Sequence, residues 1–199
     1  MIKIFECEQG SETWNQLRCG VPTASDFNKI VNSKGQPSTQ REKYLYQLAV
    51  ERITKKVEPT YQNGNMFTGK LRELDARNYY EFCKKVKVKQ VGFCLRDKPK
   101  CGCSPDSLVS INGGLEIKCP LGTTHVQYLL DNRLAVEYIP QVQGSLFVTG
   151  RDWWDFMSHY PDMRPLIVRV KPDKAFQAKL KRELELFCAD LDRLVKRIK

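Results

Sequence analysis

Apolar residues along this chain follow two rhythms. Between 41 and 56, Leu45, Leu48, Ala49 and Ile53 recur at intervals of three and four, which places them on one stripe of a helix. The same period predicts helices over 66–83, where Leu71, Leu74 and Phe82 are apolar, over 123–134, and from about Pro140 to Gly150. It runs longest over 173–199. There Phe176, Leu180, Leu184, Phe187, Leu191, Leu194 and Ile198 form a narrow stripe near the heptad spacing, suited to packing on its own domain or on a neighbouring subunit.

Elsewhere the period is two. Val86 and Val88 alternate with lysines, and Val91, Phe93 and Leu95 alternate again after a one-residue slip at Gln90, which predicts a bulge or turn. Strands are predicted over 153–157 and 166–170, around a turn at Pro161-Asp162, and on either side of the turn residues 111–114. Near the start, Ser11 caps a helix that Gly20 can end, and Thr23-Ala24-Ser25 opens a second helix ahead of Phe27, Ile30 and Val31. Residues 59–65 read as a turn, and the small polar run 32–40 as a mobile loop able to cover a ligand.

Strands and helices mixed in this way predict an α/β (α+β) chain, and 199 residues fit one domain spanning 1–199. Composition changes little, with 41% hydrophobic and 28% charged residues, as in ordinary globular proteins. Charge changes more. A net +10 points to a polyanionic partner, nucleic acid being the commonest, although membrane surfaces and solubility draw on the same surplus. The surplus is densest over 84–100, where seven basic residues face one acidic residue; a solvated strand face is the default there, and a phosphate track the alternative. No apolar run approaches the roughly 18 residues of a membrane helix, and the N-terminus carries no export signal, so a cytoplasmic protein is expected. Eight cysteines without a C-x-x-C pair read as reduced thiols, and Cys101 and Cys103 lack the further ligands a zinc or cluster site requires.

The chemistry concentrates around Asp106, Glu116 and Lys118. On a strand Glu116 and Lys118 project to one face while Ile117 points into the core. Two carboxylates suit a hard cation such as Mg²⁺, and a lysine beside them can orient or deprotonate a water that attacks phosphorus. The plain alternative is an exposed Glu–Lys pair worth up to about 1 kcal/mol. Arg18 and Ser25, brought near each other by two helix ends, make either a phosphate cradle or a surface arginine beside a plain cap. Glu73 near the start of its helix is equally readable as a surface glutamate, and the aromatics at 153–156 read as core or subunit contact.

Ser104-Pro105-Asp106 followed by Leu115-Glu116-Ile117-Lys118-Cys119-Pro120 resembles the PD-(D/E)XK nuclease signature, and specifically the lambda exonuclease and YqaJ-type viral recombinase nucleases. Further blocks are similar in the same order: Trp14 with Leu17-Arg18 and Gly20 to Ser25, Gly69-Lys70 with Glu73, Gln141-Val142-Gln143, and the Val148-Thr149 and Tyr160-Asp162-Met163 region. The resemblance implies a restriction-endonuclease-like core, a central mixed β-sheet flanked by helices. It implies Mg²⁺, with Mn²⁺ as substitute, bound by Asp106, Glu116 and the Ile117 backbone carbonyl. Lys118 would activate or orient the water, and Glu73 would support the metal or the water, in two-metal phosphodiester hydrolysis. Arg18, Ser25, Ser104 and Gln141 would receive the 5′-phosphate of a duplex end. One departure is Ser107, where the family usually has glycine.

The implied enzyme is a 5′-to-3′ exonuclease of phage or prophage recombination. It would degrade the 5′-ended strand of linear double-stranded DNA to mononucleotides, as a homotrimeric ring that hands the 3′ overhang to a single-strand annealing protein. Two other readings stand beside it: an endonuclease of the same superfamily, and a DNA-binding module without catalysis that uses only the positive charge. Iron–sulfur relatives would need four cysteine ligands, which the spacing does not supply.

Overall fold

The computed structural model describes residues 1–57 and 64–199, with side chains at 1–57 and 72–199. Most of the turn expected at 59–65, and the side chains of Lys70 and Leu71, lie outside this set. Eight strands among the described residues form two sheets. β2 (Val88–Lys89), β5 (Ser107–Val109), β6 (Gly113–Lys118), β7 (Trp153–Ser158) and β8 (Leu166–Val170) make a mixed sheet in that order, and β1 (Ile2–Phe5), β3 (Phe93–Arg96) and β4 (Cys101–Cys103) a smaller antiparallel one. Only β6 and β7 are parallel within the mixed sheet, with Lys118 beside Ser158. A parallel pair needs a crossover, and here it consists of α4 (Gly122–Asp131), a 3-10 turn (Val136–Tyr138) and α5 (Ile139–Thr149). The mixed sheet with helices around it is the architecture the resemblance implies.

The slip at Gln90 turns out to be larger than a bulge. The chain leaves the mixed sheet after Lys89 and joins the other sheet at Phe93, so the two alternating runs serve different sheets. Their charged faces are partly engaged within the chain: Lys87 pairs with Glu81, Lys89 with Glu6, and Arg96 donates to the Phe147 carbonyl at 2.9 Å.

Helices fall close to their predicted spans. α1 (Glu12–Arg18) is capped by Ser11, whose hydroxyl accepts from the Trp14 amide, and Gly20 follows it at φ +67°. The second N-terminal helix is instead a 3-10 helix, Ala24–Lys29, and Thr23 gives no side-chain cap. It still buries Phe27, with Ile30 three residues on at its C-cap on the same side, and Val31 is buried just beyond, where it bridges to Pro37. Residues 32–40 form an organised turn: Asn32 Oδ1 accepts from the amides of Lys34 and Gln36, and Lys179 donates to the Lys34 carbonyl.

α2 (Arg41–Thr54) buries Tyr44, Leu45, Leu48 and Ala49, while Ile53 reaches solvent. α6 (Lys174–Ile198), opened by Asp173, buries Phe176, Leu180, Leu184, Phe187 and Leu191 against its own chain, and Ile198 is exposed. α3 (Gly64–Lys84) differs most from its pattern: Leu74 and Phe82 are 59% and 82% exposed, and the helix is anchored by Ala76 and Tyr80 one turn apart. The Tyr80 hydroxyl donates to buried Asp155 at 2.8 Å, and Arg169 donates to the same carboxylate at 2.8 and 2.9 Å. Tertiary hydrogen bonding, invisible to a hydrophobic count, chose the face. No helix among the described residues is long and apolar enough to cross a membrane. All eight cysteines are free thiols.

The turn between β5 and β6 is 110–112, tighter than the predicted 111–114, because Gly113 and Gly114 belong to β6. Both glycines lie under tryptophans. A Cβ on Gly114 would meet the Trp154 ring at 2.3 Å, and Trp154 is fully buried. Gly114→Ala is therefore expected to cost about 1–3 kcal/mol by overpacking, read as a lower denaturant midpoint at unchanged slope.

Candidate active site

The β5–β6 hairpin brings the acidic residues together. Asp106 stands just before β5, and its Oδ2 accepts from the backbone amide of Ile117 in β6 at 2.6 Å. Ile117 buries its side chain among Val109, Leu115 and Met157, which fixes the strand's rotation. Its neighbours Glu116 and Lys118 must then share the opposite face. Lys118 Nζ lies 2.7 Å from Glu116 Oε1, and Gln141 Nε2 donates to the same oxygen at 2.6 Å. Gln141 comes from the first turn of α5. One helical turn earlier, the Tyr138 ring lies 5.0 Å from the Lys118 ammonium and packs on Phe156 at 5.2 Å.

Charge is crowded here. Burial pushes the Asp106 carboxyl well above the usual carboxylate range, and the Glu116 charge adds to this; the Glu73 charge acts the same way, against Lys118 and the Ile117 amide. For Lys118 burial works against the proton, but the charges of Glu116 and Asp106 outweigh it, so the group stays an ammonium. Burial and the charges of Glu73 and Asp106 push the neighbouring Cys119 thiol up to about 11, so it remains protonated and adds no soft ligand. What is left is a donor set of hard oxygens: two carboxylates driven together, with the Ile117 carbonyl between Glu116 and Lys118 in sequence. Such a set fits a hard divalent cation, which would relieve the repulsion that raises Asp106. Glu73 lies close enough to act on Asp106, yet among the described residues no three His, Cys, Asp or Glu side chains gather at ligand spacing.

Ser107, the departure from glycine, is fully buried, and its hydroxyl donates to the Asp106 carbonyl at 2.5 Å. It pairs with Leu115 across the hairpin without disturbing the bond from Ile117 to Asp106.

A second cluster adjoins the first through Ser104. Arg18 Nη1 donates to Ser104 Oγ at 3.1 Å, and Nη2 lies 3.5 Å from Thr23 Oγ1, which is 3.2 Å from Ser25 Oγ. The guanidinium sits 4.2 Å over the Trp14 ring, whose Nε1 donates to Ser104 Oγ at 2.9 Å. Burial lowers the Arg18 pKa, the mark of a cation held partly out of water. Arg18, Ser25 and Ser104 thus come together, linked by Thr23, whereas Gln141 is tied to Glu116. Sequence reasoning missed Tyr138 as part of the site, and named Trp14 and Thr23 only within a motif and, for Thr23, as a cap. Tyr138 had a readable signal: it lies three residues before Gln141, on the same side of a helix start.

A family model described as a YqaJ-like viral recombinase domain matches residues 13–152. The chain belongs to the YqaJ-like viral recombinase family. Among solved structures it is similar to an alkaline exonuclease (LHK-Exo) from Laribacter hongkongensis, 30% identical with a TM-score of 0.85 over 94% of this chain and 96% of that one. LHK-Exo in complex with dAMP matches at 31% identity and the same TM-score, over 95% and 96%. A phage-related exonuclease from Haemophilus somnus 129PT, 14% identical with a TM-score of 0.69 over 93% and 99%, shares the fold. No curated protein matches. This member of the YqaJ-like family has the fold of a DNA exonuclease, and the structural likeness, covering 94% of the chain, extends beyond the residues 13–152 that the family model matches.

Because the Asp106 carboxyl is raised in the folded protein, its protonated form is favoured there, and its contribution to stability is lost as pH rises through the folded pKa. Asp106→Asn is therefore expected to stabilise the protein in chelator at pH 8 by on the order of 1 kcal/mol. The gain should vanish as pH falls into the range where Asp106 is protonated, measured as thermal midpoints across pH.

Proposed function

We propose that this protein is a Mg²⁺-dependent exonuclease that enters linear double-stranded DNA at its ends and degrades the 5′-ended strand to mononucleotides. The observation that carries this reading is the adjacency of the two clusters. The arginine of one reaches Ser104, two residues before the carboxylate of the other. A site built this way couples recognition of a terminal phosphate to hydrolysis a short distance along the strand.

In this reading Asp106, Glu116 and the Ile117 carbonyl hold the cation, Mn²⁺ serving as substitute. A bound divalent ion supplies Lewis acidity toward the scissile phosphate and lowers the pKa of a water. Glu73, whose charge reaches Asp106, is the carboxylate left for a second cation or for the water. Lys118, kept protonated by Glu116 and Asp106, donates to the attacking water and orients it rather than taking its proton. Gln141 donates to Glu116; for its amide to join the 5′-phosphate pocket it must release Glu116. Arg18 offers the terminal phosphate a cation already stacked and partly desolvated, with Ser104 and Ser25 hydroxyls beside it. That a solved relative binds dAMP accords with a mononucleotide product.

The resemblance extends the reading to a homotrimeric ring around the DNA, which would keep the enzyme on its substrate, and to a single-strand annealing protein that takes the 3′ overhang, in the cytoplasm of a phage-infected or lysogenic bacterium.

Glu116→Ala and Asp106→Ala are expected to reduce hydrolysis about a thousandfold or more, the several kcal/mol a cation contributes, while DNA binding persists. Chelator should do the same to the unsubstituted protein, and closed circular duplex should stay intact. Circles that are nicked or linearised would point to the endonuclease reading. Arg18→Ala should slow digestion of 5′-phosphorylated ends about 10- to 100-fold, the value of a charged hydrogen bond, with little effect on 5′-hydroxyl ends; equal slowing on both would remove Arg18 from the pocket.

A further inference from the structure

The turn that carries Ser104, Pro105 and Asp106 is stitched to the rest of the protein at two points. Trp14 Nε1 donates both to Ser104 Oγ at 2.9 Å and to the Gly92 carbonyl at 3.1 Å. Gln9 spans the adjoining pair: its side-chain amide nitrogen donates to the Pro105 carbonyl at 2.9 Å and to the Val91 carbonyl at 3.1 Å. An amide NH₂ has two protons, and both are used here. Two carbonyl acceptors also fix which end of the amide faces them. Gln9 sits on the loop between β1 and α1, held close to the same place where Gly92 donates to the Phe5 carbonyl and where a Cβ on Gly92 would lie 2.3 Å from the Cys7 sulfur. It precedes the span matched by the family model, and its side chain bonds backbone carbonyls only, not the side chains of either cluster.

We propose that Gln9 is a positioning residue: by holding the Pro105 carbonyl it fixes the turn from which Asp106 points to the cation and Ser104 to the terminal phosphate. One amide would then govern two properties at once, metal affinity and preference for a 5′-phosphate. Groups that orient metal ligands from outside the coordination sphere change affinity or activity by about 10- to 100-fold. The inference rests on the metal and end-pocket reading above. Gln9 is itself exposed, so replacing it leaves no buried hole, and site effects separate from unfolding.

The test compares Gln9→Met, which keeps the length and loses the donors, with Gln9→Lys, whose ammonium can still donate to both carbonyls. Mn²⁺ binding is measured by calorimetry on the DNA-free protein, and kcat and KM on linear duplexes with and without a 5′-phosphate. Gln9→Met is expected to keep its melting temperature, to bind Mn²⁺ about tenfold more weakly, and to lose 5′-phosphate preference even when Mn²⁺ is raised to saturation. Gln9→Lys should retain both properties. The proposal is overturned if Gln9→Met binds Mn²⁺ and selects ends as the wild type does, if the two variants behave alike, or if Gln9→Met fails to fold while Gln9→Lys is normal, which would assign the amide to folding. Asp106→Ala in the same titration separates the two levels. If that variant binds Mn²⁺ as the wild type does, the metal reading itself fails; if it does not bind while Gln9→Met is unchanged, only the role of Gln9 fails.

Discussion

Asp106 stands before one strand and Ile117 near the end of the next, and the 2.6 Å bond from the Ile117 amide to the Asp106 carboxylate makes the hairpin present its acids at one point. Everything else in the site is arranged about that bond. The apolar cluster under Ile117 sets which way Glu116 and Lys118 face. The parallel pairing of β6 with β7 requires a crossover, and the crossover returns α5 with Gln141 and Tyr138 over the same strand end. Fold topology and site chemistry are thus one constraint seen at two scales.

The chain's charge is arranged in opposition to itself. Over the whole molecule it is +10, which favours approach of a polyanion, yet at the hairpin the charges of Glu116 and Glu73 both act against that of Asp106, with Lys118 as the nearby counterion. On the proposed reading, a phosphodiester drawn in by the long-range field would meet local repulsion at the carboxylates. Arg18 and the serine hydroxyls lie on the favourable side of that boundary. Tyr138 contributes on the other side, its ring face offering a partial negative charge to the Lys118 ammonium at 5.0 Å.

Local patterns in the sequence carried most of the architecture. The period-two run at 166–170, the stripe of α6 and the Gly150 stop were all legible, because each depends on neighbours in the chain. The shared face of Glu116 and Lys118 followed from strand alternation alone. Where a non-local partner decided, the letters misled. Leu74 and Phe82 look like core, but the bond from Tyr80 to Asp155 turns them outward. The break at Gln90 read as a bulge or turn because no local rule distinguishes either from a change of sheet. Gln141 was assigned to the end pocket through resemblance, and its bond to Glu116 could be seen only once α5 was placed. Gln9 had no sequence signal, since its partners are backbone carbonyls.

The bonds that join the two clusters also set when the site can exist. Gln9 reaches Pro105, Trp14 reaches Ser104 and Arg18 reaches Ser104 across separations of 96, 90 and 86 residues. Closing loops of that length costs entropy before any contact repays it. A ribosome delivers the residues of the end pocket first and the acidic hairpin only after half the chain has emerged. The N-terminal segment therefore waits, its arginine and tryptophan without their partner serine, until the hairpin forms, so the two clusters are completed in a single late step.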